Sequence, residues 1–192
     1  YIHSFLNKKV KICITRAGNV IGGGDWSKDR IIPDLFKTWS KNKCLNIRNP
    51  NSTRPWQFVL EPLGAYLYLG SLLLKKNESI NLNSFNVGPR QNVDKTVKEL
   101  MLSIQKIIPD LKYKEIKDKN SKEAKLLKLN CKKIYKYTKW QPIYSFLQTV
   151  DNTIAWYIKY NDKKKDINKL SIEQIKNYIK FARLNKVKWI RE

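Results

Sequence analysis

The chain has 192 residues, 42% of them hydrophobic, with six Trp and ten Tyr; this suits one globular domain with a real core and excludes a disordered chain. A lone histidine, His3, excludes a His-based metal centre or a Ser-His triad, and no apolar run approaches the roughly 20 residues that span a bilayer. The net charge of +23 invites a nucleic-acid reading, yet 32 of the 39 basic residues are Lys and only seven are Arg, whereas base-edge and bidentate phosphate recognition favour Arg.

The lysines spread over every predicted helix, with Asn and Ile similarly over-used, which reads more as codon drift than as a functional basic surface. An anionic small-molecule substrate suits the charge as well as nucleic acid does. The three cysteines, Cys13, Cys44 and Cys131, are odd in number and lack CxxC spacing, as expected of free thiols in a reducing cytoplasm. The chain starts on Tyr1 and enters a strand almost at once, so it is expected to be a piece of a longer protein.

Residues 10–18, "VKICITRAG", alternate and are β-branched, which predicts a buried strand. A Gly-rich loop follows, then a helix in "RIIPDLFKTWSKN" that opens near Pro33. "LNIRNPNSTRPWQFV" predicts a short strand, a turn on Asn-Pro-Asn and a second short strand. Residues 61–76 form a helix with Pro in its first turn and apolar residues nearly all round, hence buried. "SFNVGP" is a short strand with a Gly-Pro stop. "VDKTVKELMLSIQKIIP" is an amphipathic helix with Val93, Val97, Leu100, Ile104 and Ile107 on one face. "KYKEIK" and "AKLLKLN" read as strands, "CKKIYKYTKW" as a short helix and "YSFLQTVDNTIAWYIKYN" as a longer one. Residues 161–192 read as a Lys-rich tail with a terminal helix over "SIEQIKNYIKFARL". Alternating strands and helices imply an α/β fold.

The loop "RAGNVIGGGDW" raises the question of a dinucleotide cradle, which needs G-x-G-x-x-G directly between a strand and its helix. Gly22 and Gly24 fit the first two positions, but the third falls on Ser27. The strand also ends about four residues before the glycines, so this is not that cradle.

"TRAGNVIGGGDW…RIIPDL", "IRNPNSTRPWQFVLEPLGAYL", "FNVGP" and "KWQP" follow one another in the order and spacing of the extended short-chain dehydrogenases/reductases that act on nucleotide sugars. Within that superfamily the chain resembles the CDP-glucose 4,6-dehydratases, over roughly residues 10–160 and matching their C-terminal half. It departs from them at Phe58, where His is usual, and at Lys122 and Asn130, where His and Asp are common. The resemblance implies a Rossmann-type α/β fold, with residues 1–160 holding the last Rossmann strands and the substrate lobe. It also implies bound NAD, CDP-glucose as substrate and homo-oligomers of the whole enzyme. Such enzymes oxidise C4 of the sugar, eliminate water across C5–C6 and return the hydride to C6. Their phosphate cradle and Tyr-x-x-x-Lys pair lie upstream of the matching part, so the chain alone is expected to be inactive.

Site residues follow from the same resemblance. A planar guanidinium can grip a diphosphate with two parallel bonds; Arg54, in the "RPW" motif, stands where relatives bind phosphate, the alternative being a surface arginine in a turn. Asn19 is expected to contact the nucleotide sugar or else to close the strand in an Asx turn. Ala17, Gly18 and Val20 are assigned to the cofactor wall, where small residues let a ring pack against backbone; a tight crossing of elements would demand the same. Gly22, Gly23, Gly24, Asp25 and Trp26 are expected to form a mobile loop over the nucleotide, with Trp26 either stacking on a base or anchoring the loop. Arg30 and Arg48 are candidates for phosphate or ribose. Trp56, Phe58 and Trp140 read as core. Two other functions stay open: another nucleotide-sugar epimerase or dehydratase, and a basic non-catalytic binding module with exposed stacking aromatics.

Overall fold

A computed structural model describes residues 10–89, 95–116, 127–162 and 166–190. Its strands are two to four residues long and form four pairs. β1 (Ile14–Ala17) runs parallel to β6 (Ser84–Val87), and β2 (Asn19–Ile21) runs parallel to β5 (Trp56–Phe58). β3 (Leu45–Ile47) is parallel to β8 (Tyr113–Glu115), and β4 (Thr53–Arg54) is antiparallel to β7 (Lys95–Thr96). Three parallel pairs joined through helices are the α/β signature.

The chain passes from one ribbon to the next at Gly18. Its N–H donates to the Val87 carbonyl at 3.1 Å, and a Cβ there would lie 2.8 Å from the Pro55 carbonyl oxygen. No real Cβ tolerates that distance, so the crossing requires glycine.

The helices are α1 (Ile31–Trp39), α2 (Leu60–Leu74), α3 (Val97–Gln105), α4 (Lys132–Thr138), α5 (Phe146–Asn161) and α6 (Ile167–Leu184). Capping boxes start α3 (Thr96 with Glu99) and α5 (Ser145 with Gln148), and the Asp166 carboxylate caps α6; each such cap is worth about 1 kcal/mol. The main core joins Ile32, Leu35 and Phe36 of α1 to Trp56, to Leu100, Met101 and Ile104 of α3, and to Ile154 and Tyr157 of α5. A second core packs Ala65, Leu69 and Leu72 of α2 on Phe85 and Val87, closed by Ile134 and Trp140. Phe58 is buried as well.

Several expectations change. The predicted strand over residues 10–18 is confined to Ile14–Ala17, and it is not buried: Ile14 is 43% exposed and Val10 46%. β6 is its only partner among the described residues, so an apolar sequence faces solvent. α2 is likewise not covered all round, since Leu67 is 78% and Leu74 86% exposed. On α3, Leu100 and Ile104 are buried as expected and Met101 joins them, whereas Ile107 lies beyond the helix end and is exposed. Val93 and Lys122 lie outside the described residues, as do the first three residues of "AKLLKLN", whose residues 127–130 carry no strand.

The Lys-rich C-terminal stretch carries α6, which has a packed inner face. Tyr178 and Ala182 join Ile143 and Val187 in a third core cluster. Glu61 of α2, only 1% exposed, ties this region in: its carboxylate accepts from the Ile143 and Tyr144 amides at 2.9 and 2.8 Å and from the Tyr178 hydroxyl at 2.8 Å. Among the described residues no helix is long and apolar enough to cross a membrane.

Candidate functional site

At the C-terminal ends of β1, β2 and β3 opens a cleft of about 1140 Å³, the place where α/β sheets bind ligands. One wall is the run from Ala17 to Gly22, which includes Gly18, Asn19 and Val20. The opposite side comes from the start of α1 and from the segment after β3 that carries Arg48 and Asn49. Arg54 of β4 and Tyr157 of α5 complete the lining.

Nine of the twelve sequence-predicted residues thus meet at one cleft: Ala17, Gly18, Asn19, Val20, Gly22, Asp25, Arg30, Arg48 and Arg54. Gly23, Gly24 and Trp26 are outside the described lining. Their surroundings show what they do instead. A Cβ on Gly23 would fall 2.1 Å from the Trp156 indole, and one on Gly22 would fall 2.5 Å from Val59 Cγ1. Gly24 takes φ +85°. Trp26 packs against Tyr157 and Tyr160, with ring centroids 5.2 and 5.0 Å away. The Tyr157 hydroxyl donates to the Asp25 carbonyl at 2.6 Å. The loop expected to be mobile is therefore packed on α5, with Trp26, 38% exposed, against two of that helix's tyrosines.

The charges in the cleft are selective. Four of the chain's seven arginines, Arg16, Arg30, Arg48 and Arg54, line it, while none of the 32 lysines is among the described lining residues. Guanidinium groups are the donors suited to bidentate phosphate recognition. Each is placed differently. Arg16 Nε donates to Asn86 Oδ1 at 3.1 Å, Arg54 is half-buried with Nη1 on the Thr53 carbonyl at 3.0 Å, and Arg48 is exposed. Arg30 Nη1 lies 3.1 Å from Asp25 Oδ2. Burial alone would raise the Asp25 carboxyl, but the Ser27 hydrogen bonds and the Arg30 guanidinium outweigh it and hold it below the usual range.

The sequence reading missed Arg16, Asn49, Asp29, Asp34 and Tyr157 at this cleft. Tyr157 carried no signal beyond its place on a helix's apolar face. Its ring stacks on Phe36 at 4.4 Å and 9°, and burial, then the nearby Asp25 charge, push its hydroxyl up to about 12.

No family model matches the chain. It is 36% identical over 152 residues to CDP-glucose 4,6-dehydratase of Salmonella typhimurium, covering 77% of this chain and 41% of that protein. In structure it is similar to an epimerase of Methanothermobacter thermautotrophicus (TM-score 0.71, 18% identity, 88% of this chain and 48% of that one). It is also similar to dTDP-glucose 4,6-dehydratase of Bacillus anthracis, solved with NAD (TM-score 0.66, 20% identity, 84% and 49%). A third likeness is to UDP-glucuronic acid 4-epimerase of Bacillus cereus, solved with UDP-glucuronic acid and NAD (TM-score 0.68, 17% identity, 83% and 49%). The chain spans about half the length of each. Over that span it has the Rossmann-type fold of the extended short-chain dehydratases and epimerases, and its sequence is similar to CDP-glucose 4,6-dehydratase.

Proposed function

We propose that this chain supplies the nucleotide-sugar pocket of a CDP-glucose 4,6-dehydratase, an NAD-dependent hydro-lyase of deoxysugar synthesis. The observation that carries the reading is the concentration of arginines, rather than the far more numerous lysines, around one cleft at the strand ends. A diphosphate at the centre takes its two-bond grip from Arg54, with Arg48 and Arg30 on the flanks, and Asn19 beside it hydrogen-bonds the nucleotide sugar. Ala17, Gly18 and Val20 offer a small, largely apolar wall that fits the nicotinamide end of NAD. When bound, NAD supplies the acceptance and return of a hydride. The described cleft residues bind and orient. The one tyrosine among them, Tyr157, has its hydroxyl committed to Asp25, so no proton-transfer step is assigned to it.

A second reading is another nucleotide-sugar epimerase or dehydratase: solved epimerases and a dTDP-glucose dehydratase match the fold alike, with TM-scores of 0.66 to 0.71. The 36% identity to a CDP-glucose enzyme weighs the choice towards CDP-glucose. Calorimetric titration with CDP-glucose, UDP-glucose and dTDP-glucose tests both. Preference for CDP-glucose supports the proposal, preference for a uridine or thymidine sugar supports the second reading, and binding of RNA but none of these sugars returns the basic-module alternative.

A further inference from the structure

Resting on the reading of the cleft as a diphosphate site, we propose that Tyr157 is a positioning residue for Arg30: its hydroxyl fixes the Asp25 main chain, and the Asp25 carboxylate then presents the Arg30 guanidinium to the cleft. The loop over residues 22–30 has no ladder of its own to hold it. It includes two residues with positive φ, Gly24 at +85° and Asp29 at +60°, so its shape depends on outside contacts. Arg30 itself is a long side chain, 62% exposed, and a group so free loses much of its affinity to its own ordering on binding.

The structure removes that freedom in steps. Asp25 takes the Ser27 amide on Oδ1 at 3.0 Å, closing an Asx turn, and Arg30 Nη1 on Oδ2 at 3.1 Å. One of five guanidinium donors is thereby engaged and the rest stay available. The Asp25 carbonyl receives the Tyr157 hydroxyl at 2.6 Å. Tyr157 is 1% exposed, stacked on Phe36 and edge-on to Trp26 and Trp156 at 5.2 Å each, so it is a fixed post.

Beside it, Trp156 blocks any inward swing at Gly23 and donates Nε1 to Ser171 Oγ of α6 at 3.0 Å. Gln174 Nε2 adds a bond to the Asn152 carbonyl at 2.7 Å. The Lys-rich C-terminal helix thus acquires a role: it braces the face of α5 on which the loop sits.

The test is calorimetric titration of CDP-glucose into the wild-type chain, Tyr157→Phe, Arg30→Ala and the double variant, with thermal denaturation of each. Phe keeps the ring and its stacking and removes only the hydroxyl. Tyr157→Phe is expected to weaken binding about three- to tenfold, the equivalent of releasing one rotamer-rich side chain. In the Arg30→Ala background the same change is expected to cost no further affinity. Unchanged affinity of Tyr157→Phe, or an equal loss in both backgrounds, overturns the positioning role, because a merely structural tyrosine would act without regard to Arg30. Should Tyr157→Phe not fold, Asp25→Asn replaces it: weaker binding only when Arg30 is present supports the proposal, and tighter or unchanged binding refutes it. If the wild-type chain binds neither CDP-glucose nor CDP, the pocket reading itself falls and the positioning role with it; binding without dependence on Tyr157 or Asp25 removes only the latter.

Discussion

Replacing Arg54 by Ala tests the centre of the proposed pocket. Arg54 sits in a two-residue strand whose backbone pairs with β7, Arg54 opposite Lys95, so truncating the side chain leaves the ladder intact. Among its contacts the fold loses the Nη1 bond to the neighbouring Thr53 carbonyl, itself worth about 1 kcal/mol or less. The ligand loses more. A hydrogen bond to a charged group contributes roughly 1.5–3 kcal/mol, and in a cleft open to water the two-bond grip on a diphosphate falls within that span in total. CDP-glucose affinity is then expected to drop about ten- to a hundredfold, each 1.4 kcal/mol being a factor of ten. Arg54→Lys should restore only part, because a point charge cannot reproduce the planar fork. Calorimetric titration at low and at physiological salt measures this, with a denaturation curve for each variant to show that stability is retained. Equal affinities of the wild type and both variants would remove Arg54 from the site.

Three further outcomes are expected. Gly23→Ala places a methyl 2.1 Å from the Trp156 ring, which is stacked on Tyr160 and tied to Ser171, so urea denaturation should show a loss of about 1–3 kcal/mol; an unchanged midpoint, or no relief when Trp156→Leu is added, would contradict the packed loop. Glu61→Ala strips the acceptor from two amides and the Tyr178 hydroxyl, at a cost of about 3–5 kcal/mol, and should raise protease sensitivity in α6 first; cleavage elsewhere with α6 intact would argue against its tethering there. Alkaline pH should destabilise the fold: burial first, then neighbouring carboxylate charge, raises Tyr144, Tyr157 and Tyr178 above their ordinary value of 10.0, Tyr157 to about 12. A raised tyrosine keeps its proton longer folded than unfolded, so this stability is complete below about pH 10 and is lost as pH rises through about 12; a denaturation midpoint flat over that window, or one equally steep in Tyr157→Phe, would be inconsistent with it.

Helix positions were legible in the sequence because the 3.6-residue period of apolar residues reports a face that needs covering. Ile154 and Tyr157 on α5, and Leu100 and Ile104 on α3, fall on that face and are buried. That Arg54 and Asn19 line one cleft was in keeping with the resemblance to nucleotide-sugar enzymes that their neighbours in sequence carry. Periodicity says nothing about whether the covering element is present. For that reason α2, apolar nearly all round, read as buried although Leu67 and Leu74 face solvent.

What only the tertiary structure decided is which distant segments meet. Tyr157 reaches the Asp25 carbonyl across 132 positions of chain, and an aromatic on a helix reads as core until the loop it holds is seen against it. The glycines after Ile21 read as a mobile loop over the nucleotide, but the group that approaches Gly23 is the Trp156 indole on α5, which no local pattern identifies. In α6 a charged composition masked the inner face of Gln174, Tyr178 and Ala182, spaced four apart; its partners lie on the preceding helix α5 and on α2, the latter far away in sequence. Local propensity and period are written in neighbouring residues, whereas the choice of partner is made by packing, where shape and hydrogen-bond satisfaction across the whole chain are settled together.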